Sequence, residues 1–355
     1  MNRYLISLTP IDRFFFGGDM TFTVNEKETE FTSYIIKSNK FPQQTSLLGM
    51  LRFLLLSNDD TAFNKADQKI NCQKTAEELI GERSFNPKCN YSFGKIEKLY
   101  PCFLQKKCGS NWNNIQIAPA DYGMNVNFEN AKPALINGQS IEIPEMNYDA
   151  KEYVEPVYIC AGNCEIKESK IFQEDIRNGI NRDITTGLVQ ENALFKQVFY
   201  RLKKGYRFAF EADIKELNIT AYSGQLVQLG ADSSMFIIGI EEQKAINDNT
   251  EKQEAINGNK VVLSSPAFIK KEDLKSVRFA ITKTIPFKCI QTNVQETKSY
   301  NRNKEEDHSD KYNLYDIGSV FYFKSNEDCE KFGKNLEKEK EFRKIGYNHY
   351  KVINE

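Results

Sequence analysis

Hydrophobic and polar residues are unevenly spread along this chain, and the densest apolar window is FPQQTSLLGMLRFLLL, residues 41–56. The window starts with polar residues, and Thr45 or Ser46 can cap a helix that continues to about Ser57. Its apolar part, residues 47–56, is 10 residues long, whereas a helix that spans a membrane needs about 20. The pattern predicts a core helix with a polar start and one charge, Arg52.

Alternating residues predict strands around this helix. Residues 3–9, RYLISLT, alternate and end at Pro10, and the following RFFFGGDMTF contains a glycine pair that permits a tight turn. A second, more polar helix is predicted over 67–80. Further along, QVFYRL and YRFAFEAD alternate on either side of residues 203–205, KKG, and predict an antiparallel hairpin.

A short helix near 214–227 and a strand at 235–240 complete the order β–α–β–β–α–β, which is the ferredoxin-like plan. Residues 84–192 lack a clear pattern and are interpreted as a long insertion with little regular structure. Residues 241–259 are charged and amide-rich, and are predicted to form a linker or mobile loop.

The last third predicts a second, smaller α+β unit. KVVLSSP, VRFAITKT and GSVFYFK read as strands, a charged tract at 295–312 interrupts them, and EDCEKFGKNLEKEKEFRKI predicts a helix. The predicted fold class is therefore α+β. The predicted domains are 1–240, with an insertion at about 60–192, and 260–355 after the linker.

Composition narrows the functional classes. The chain has 355 residues with 48 Lys and Arg against 49 Asp and Glu, so any anionic partner must be held by a local basic patch. The N-terminal MNRYLISLTP does not resemble a signal peptide, which makes a reducing cytoplasm the expected location and thiols the expected state of the eight cysteines. The spacing of those cysteines does not favour a zinc site, so neither a metal nor a cofactor is predicted.

Catalytic chemistry has little support in the sequence. The chain has two histidines, His308 in a charged tract and His349 near the C-terminus, and it contains none of the common hydrolase or nucleotide-binding motifs. We therefore expect a protein that is not an enzyme.

Three stretches combine basic, aromatic and small polar residues: 196–207, KQVFYRLKKGYR; 177–188, RNGINRDITTGL; and 338–351, KEKEFRKIGYNHYK. Such stretches can contact phosphates and stack on bases of single-stranded nucleic acid. The alternatives are a solvated hairpin with its aromatic residues in the core, an ordinary polar loop, and a helix with i,i+4 ion pairs.

Several of these stretches together resemble a known family. LISLTPIDRFFFGGDMTF, FPQQTSLLGMLRFLLL, LFKQVFYRLKKGYRFAFEAD, QLGADSSMFI, GSVFYFK and a basic tail with IGY follow the order seen in subunit three of type III-B CRISPR (Cmr) effector complexes. This subunit belongs to the RAMP superfamily of RNA-binding proteins. The resemblance covers most of residues 1–240 by motif and the last third by pattern.

The resemblance implies two ferredoxin-like (RRM-like) domains and a non-catalytic role. It implies a protein that grips the 5′ repeat-derived tag of the crRNA and joins the large polymerase/cyclase-like subunit to the backbone subunits. In such proteins the tag lies against the region between strand 1 and helix 1, a thumb-like hairpin and a glycine-rich loop near the C-terminus. The tail here keeps one glycine of that loop, Gly346.

Carried over to this sequence, the resemblance implies the following site. Phosphate contacts are expected from Arg13, Arg52, Arg182, Arg343 and Lys344. Polar contacts to bases, riboses or phosphates are expected from Gln43, Gln44, Thr45, Thr185 and Thr186, and stacking from Phe16, Phe195 and Tyr347. The turns that place them include Gly17, Gly18, Asn181, Gly187, Gly230 and Ser233.

Two alternatives stay open. Some RAMP relatives process precursor crRNA, and a metal-independent cut at a 2′-hydroxyl would need a general base such as His349 or Tyr347. A purely scaffolding protein would suit the near-neutral charge.

Overall fold

The computed structural model describes residues 1–18, 20–24, 31–136, 139–148, 151, 154–160, 164–182, 185–243, 258–294 and 308–354. Within these residues the helices are α1 (Gln44–Ser57), α2 (Gln73–Ile80), α3 (Asn326–Lys338) and α4 (Lys340–Lys344). The strands are β1 (Asn2–Pro10), β2 (Met20–Val24), β3 (Phe31–Lys37), β4 (Phe63–Asn64), β5 (Lys69–Ile70), β6 (Ile96–Leu99), β7 (Phe103–Cys108), β8 (Asn111–Ile117), β9 (Asn127–Ile136), β10 (Gln139–Glu145), β11 (Val157–Cys160), β12 (Cys164–Lys167), β13 (Phe172–Arg182), β14 (Val189–Leu202), β15 (Tyr206–Ile214), β16 (Leu226–Gln228), β17 (Met235–Gln243), β18 (Lys260–Leu263), β19 (Val277–Ile281), β20 (Thr284–Phe287), β21 (Tyr312–Tyr315), β22 (Val320–Phe323) and β23 (Tyr350–Ile353).

The main sheet has nine strands, in the order β12-β11-β8-β7-β15-β1-β17-β16 with β6 also paired to β15. Its central strand β1 alternates as predicted, and Tyr4, Ile6 and Leu8 are fully buried on one face. Helix α1 belongs to the core on that face, since Leu47, Leu51 and most of its other apolar residues are buried. The predicted core helix is confirmed as far as Ser57, but the predicted cap at Thr45 or Ser46 is wrong, because the helix begins at Gln44 and both residues lie inside its first turn.

The predicted hairpin over residues 197–213 is wrong. Strands β14 and β15 follow each other through residues 203–205 but lie in different sheets: β14 pairs with β13 and β3, and β15 pairs with β1, β6 and β7. Burial does not alternate in either arm, because residues 198–200 are all buried and so are residues 208–210. A short turn permits two neighbouring strands to pair, but strands more distant in sequence can pair with the same edges. Here β14 and β15 each pair with such distant strands instead of with each other.

The interpretation of residues 84–192 as largely irregular is also wrong. This region contains strands β6 to β13, and five of them, β6, β7, β8, β11 and β12, belong to the main sheet. These five strands are four to seven residues long and include several Asn and Cys residues, so their alternation is weak in the sequence. Pairing with an existing sheet edge stabilises them despite low strand propensity.

Two predicted helices are shorter than expected. The helix predicted at 67–80 begins at Gln73, after the small β4–β5 ladder. The helix predicted near 214–227 is a single 3₁₀ turn, Thr220–Tyr222, followed by strand β16. Most of the predicted linker, residues 244–257, and most of the charged tract, residues 295–307, lie outside the described residues.

The last third of the chain forms a four-stranded antiparallel sheet, β19-β22-β18-β23. Helix α3 packs on one face, with Phe332 against Phe321 and Phe323. The hairpin of β9 and β10 packs on the other face, where Phe128 contacts Tyr322. The three predicted strands are present, and the predicted helix is divided at Glu339 into α3 and α4.

The predicted α+β class describes these layers of strands and helices. The predicted boundary at 241–259 stays a prediction, and residues from the last third, among them Phe342 and Tyr347, also pack into the main core. No helix among the described residues has the length and apolar character needed to cross a bilayer.

Candidate nucleic-acid interface

The backbone of the loop that follows β1 forms hydrogen bonds with three other segments of the chain. Phe14 forms a bridge with Tyr200 of β14. The backbone N–H of Phe15 donates to Ser234 Oγ at 2.9 Å, and that of Phe16 donates to Ser38 Oγ at 2.8 Å. The loop, residues 13–18, therefore joins the main sheet to the four-stranded sheet β13-β14-β3-β2.

Gly230 and Ser233 lie on a turn that packs directly on this loop. The N–H of Ala231 donates to the carbonyl of Phe15 at 2.8 Å. Gly230 has φ +93°, and a Cβ on it would lie 2.3 Å from that carbonyl oxygen, so glycine is required both for its conformation and for the close approach. Ser233 also has positive φ, +56°. The structure thus brings together two motifs that are more than 200 residues apart in sequence.

Strands β13 and β14 form a long antiparallel hairpin, and the predicted 181–187 loop is at its tip. Thr185, Thr186 and Gly187 are exposed there. The side chains of Asn181 and Arg182 lie outside the described residues. Below the tip, the ring of Phe195 covers Gly179 on the opposite strand, where a Cβ would lie 1.9 Å from Phe195 Cζ. Phe195 therefore packs within the hairpin instead of pointing freely outward.

A cluster of cations on an aromatic ring lies at the base of this hairpin, beside the 13–18 loop. The guanidinium of Arg13 lies 4.9 Å from the centre of the Phe199 ring, and that of Arg177 lies 5.7 Å from it. Phe15 packs on the same ring at 5.2 Å. We call Arg13, Phe15, Arg177 and Phe199 the base cluster. Rings in such contacts hold guanidinium groups in place by cation–π attraction.

Acidic side chains in this region form ion pairs with some of its cations, which makes those cations less available to a phosphate. Asp175 accepts from Arg201 Nη2 at 2.7 Å, and this bond raises the pKa of Arg201, which also pairs with Asp12. Arg13 also forms an ion pair with Asp175, at the longer distance of 3.8 Å. Arg201 is thus neutralised within the chain. Arg177 and Phe199 are not among the predicted site residues, although both lie within the basic and aromatic stretches of the sequence.

The predicted phosphate site at the start of α1 is closed by the C-terminal tail. The backbone N–H of Gln44 donates to Tyr347 Oη at 3.2 Å, and Gln44 Nε2 donates to the carbonyls of Tyr100 and Gly346 at 3.2 and 3.1 Å. Gln44 and Tyr347 are both buried, which excludes the predicted base contact and the predicted stacking in this conformation. Gln43 and Thr45 are half-buried, and Thr45 Oγ1 donates to Gln43 Oε1 at 3.4 Å.

Arg52 is buried, and in this structure its side chain binds backbone carbonyls of the chain, so its predicted phosphate contact stays a prediction. Its Nε donates to the carbonyl of Ile80 at 2.9 Å and its Nη2 to the carbonyl of Gly81 at 3.1 Å. These carbonyls lie at the C-terminal end of α2, where helical carbonyls lack partners and a cation is favourable. Burial lowers the pKa of Arg52 to about 10.

Phe16 is also buried, and its predicted stacking on a base is not compatible with this position. Its ring stacks on Phe236 at 5.8 Å, with 13° between the planes, and packs on Phe14 at 4.6 Å. Glycines 17 and 18 follow it with open space at Gly17, whereas a Cβ on Gly18 would lie 1.7 Å from the carbonyl oxygen of Lys37.

Arg343 and Lys344 lie elsewhere, in a cleft of about 340 Å³ lined also by Lys98, Lys340 and three glutamates. Arg343 lies 3.5 Å from Glu337, and Lys344 donates to the carbonyl of Tyr91 at 2.7 Å. Burial lowers the pKa of Lys344. A phosphate in this cleft would meet four basic residues and three glutamates, so it would be both attracted and repelled.

The candidate general bases are enclosed. His349 Nε2 is buried without a hydrogen-bond partner, and burial, with Arg343 and Lys98 nearby, lowers its pKa to about 3. Burial raises the pKa of Tyr347. Among the described residues no group of three or more His, Cys, Asp or Glu side chains is arranged to hold a metal ion.

Solved structures of other proteins resemble this architecture. The chain resembles a chain in the structure of "the Type III-B Cmr-beta bound to cognate target RNA and AMPPnP, state 1", with a TM-score of 0.51 and 15% sequence identity. The likeness covers 98% of this chain and 95% of that chain. A second structure, "Type III-B Cmr-beta bound to cognate target RNA", matches at a TM-score of 0.48 and 16% identity, over 98% and 96%. The first likeness confirms the predicted α+β fold with ferredoxin-like domains.

No curated protein matches the sequence significantly. The sequence profile described as "CRISPR-associated protein (Cas_Cmr3)" matches residues 160–355, which is more than half of the chain. The chain therefore belongs to the Cas_Cmr3 family of CRISPR-associated proteins.

Proposed function

We propose that this chain is a non-catalytic subunit of a type III-B CRISPR effector complex that binds the 5′ tag of the crRNA. In this proposal it also joins the large polymerase/cyclase-like subunit to the backbone subunits. The observation that carries the proposal is the base cluster, where Arg13 and Arg177 lie on Phe199 beside the 13–18 loop and the 229–234 turn.

The chemistry of this surface suits an RNA backbone. Two guanidinium groups held against one ring present N–H donors in a fixed orientation, which suits phosphate oxygens. The hairpin tip adds the exposed hydroxyl-bearing residues Thr185 and Thr186 above them. Because the net charge of the chain is −1, such a local patch is how it would attract a polyanion.

Burial also supports the non-catalytic role over the ribonuclease alternative. A base that cuts RNA must reach a 2′-hydroxyl within hydrogen-bond distance. Tyr347 and the Nε2 atom of His349 are both buried. With a pKa of about 3, His349 is neutral, but its Nε2 atom is not accessible to a substrate.

The proposal is tested on the assembled complex, purified with the wild-type chain or with Arg177→Ala or Arg13→Ala. Binding of a tag-bearing crRNA is measured between low and high salt. Each variant should weaken binding and reduce the slope of log K against log salt by about 0.7–0.9, as expected for one lost phosphate contact.

Lys334→Ala is the matched control, because Lys334 is a solvated cation on α3 that pairs with Glu330. A crRNA with a scrambled tag tests the tag itself, and should bind more weakly to the wild-type complex. Equal crRNA retention and equal salt slopes in all variants would reject the RNA-binding role. If the complex then still requires the chain for assembly, the scaffolding alternative is correct.

A further inference from the structure

The edge of the main sheet contains two cysteines that face each other. Cys160 is the last residue of β11 and Cys164 the first residue of β12, and the two are direct partners in the antiparallel register. Cys164 is exposed and Cys160 is half-buried. All eight cysteines of the chain are free thiols in this structure.

The register gives this pair a Cα separation within the range found in disulfides. The N–H of Glu168 donates to the carbonyl of Pro156 at 2.9 Å, and hydrogen-bonded pairs recur at every second position of an antiparallel ladder. Counting in twos from that pair makes Cys160 and Cys164 a hydrogen-bonded pair, with Cα atoms about 5.5 Å apart. Disulfides join Cα atoms that are about 4.4–6.8 Å apart.

A cation shares the face of the sheet with the two thiols. Cys160 pairs with Ile115, and Ile115 pairs with Leu104, so these residues point to one side. Lys106 is two residues beyond Leu104 on β7 and therefore points to that side as well. Burial raises the pKa of the Cys160 thiol, and the ammonium group of Lys106 opposes that rise by favouring the thiolate, which is the reactive form of cysteine.

We propose that Cys160 and Cys164 form a redox-sensitive dithiol site that closes to an intrachain disulfide by exchange with a small-molecule disulfide. The thiolate of Cys164, the more exposed of the two, attacks one sulfur of the small disulfide and releases one small thiolate. The thiolate of Cys160 then attacks the Cys164 sulfur, which releases the second small thiolate. Two protein thiols lose two protons and two electrons, and one small disulfide becomes two small thiols.

The closed site would fasten the edge strand β12 to β11. Strand β12 continues through the 3₁₀ turn Glu168–Lys170 into β13, the first arm of the hairpin described above. The site thus lies on the chain segment that enters the candidate RNA-binding hairpin. The proposal does not depend on RNA binding, because it rests on the register of β11 and β12 alone.

The test uses the full-length chain incubated with defined ratios of oxidised to reduced glutathione, followed by alkylation and peptide mapping. Cleavage after Lys151 and Lys167 places both cysteines in one peptide, residues 152–167, which should lose both alkylation sites together and weigh two hydrogens less. Because the fold holds the thiols face to face, half-closure should need about tenfold less oxidised glutathione than in urea-unfolded chain.

Two variants make the result specific. Cys164→Ser should leave Cys160 open to alkylation, whereas Cys89→Ser, which removes an exposed cysteine outside this site, should leave closure unchanged. Equal closure in folded and unfolded chain would overturn the proposal. So would a bond from either cysteine to Cys108, or to a second chain, in place of the 160–164 disulfide.

Discussion

The hydroxyl of Tyr347 accepts a hydrogen bond from the backbone N–H of Gln44 at 3.2 Å, so the C-terminal tail closes the first turn of α1. Gln43, the residue before this turn, makes no capping bond with its side chain. Helix starts normally have N–H groups that need an acceptor, and here a residue about 300 positions away supplies one. The helix start that looked open for a ligand in the sequence is occupied by the protein itself.

Removing this hydroxyl should destabilise the chain without an effect on RNA contacts. Tyr347→Phe keeps the ring but leaves the buried N–H of Gln44 without its acceptor, which should cost about 1–2 kcal/mol of unfolding free energy. Urea denaturation measures the difference. Tyr148→Phe is the control, because Tyr148 is 54% exposed, and it should change stability by less than about 0.5 kcal/mol. An equal effect of both variants would contradict the capping role.

Arg52 should matter for stability and not for the salt dependence of RNA binding. Arg52→Met keeps an apolar stem but leaves the carbonyls of Ile80 and Gly81 without their donors, which should cost about 1–3 kcal/mol. Lys334→Met, at an exposed position, should be nearly neutral. If Arg52→Met instead left stability unchanged and lowered the salt slope of crRNA binding, Arg52 would be a phosphate contact after all.

Gly230 should tolerate alanine poorly, because its Cβ would meet the carbonyl oxygen of Phe15 at 2.3 Å and its φ is +93°. The left-handed conformation alone costs about 1–2 kcal/mol for alanine, so Gly230→Ala should cost more than that. Gly123→Ala separates the two effects, since Gly123 has φ +77° but open space around its Cβ position. Thermal or urea unfolding that shows equal losses for both variants would mean that the close approach to Phe15 is unimportant.

Stability should fall in mild acid because of His349. Burial lowers its pKa from 6.5 to about 3, so below pH 6.5 the unfolded chain binds a proton that the folded chain excludes. This contribution is therefore fully present above pH 6.5 and is lost as the pH falls towards 3, by at most about 1.4 kcal/mol per pH unit. His349→Phe should flatten the decline between pH 6 and 4, measured as the difference from wild type. Parallel pH profiles for the two proteins would show that His349 is solvated.

The sequence by itself determined the local elements whose periodicity is strong. The apolar run after Gln43 specified α1, the alternation of RYLISLT specified β1, and the glycines specified the turns at 17–18 and at 230. Those signals are local, because a strand shows its buried face within four residues and a positive φ favours glycine wherever the turn lies.

The tertiary structure decided which strands pair and which polar residues are enclosed. Strand β14 pairs in parallel with β3, about 160 residues earlier, instead of with β15 next to it, and no local pattern distinguishes these partners. Arg52, Gln44 and Tyr347 look like ligands in a linear sequence, because spacing alone does not reveal whether a polar group faces solvent or a buried carbonyl. Long-range packing settled that question, since a buried polar group is stable only where a partner from elsewhere in the chain satisfies it.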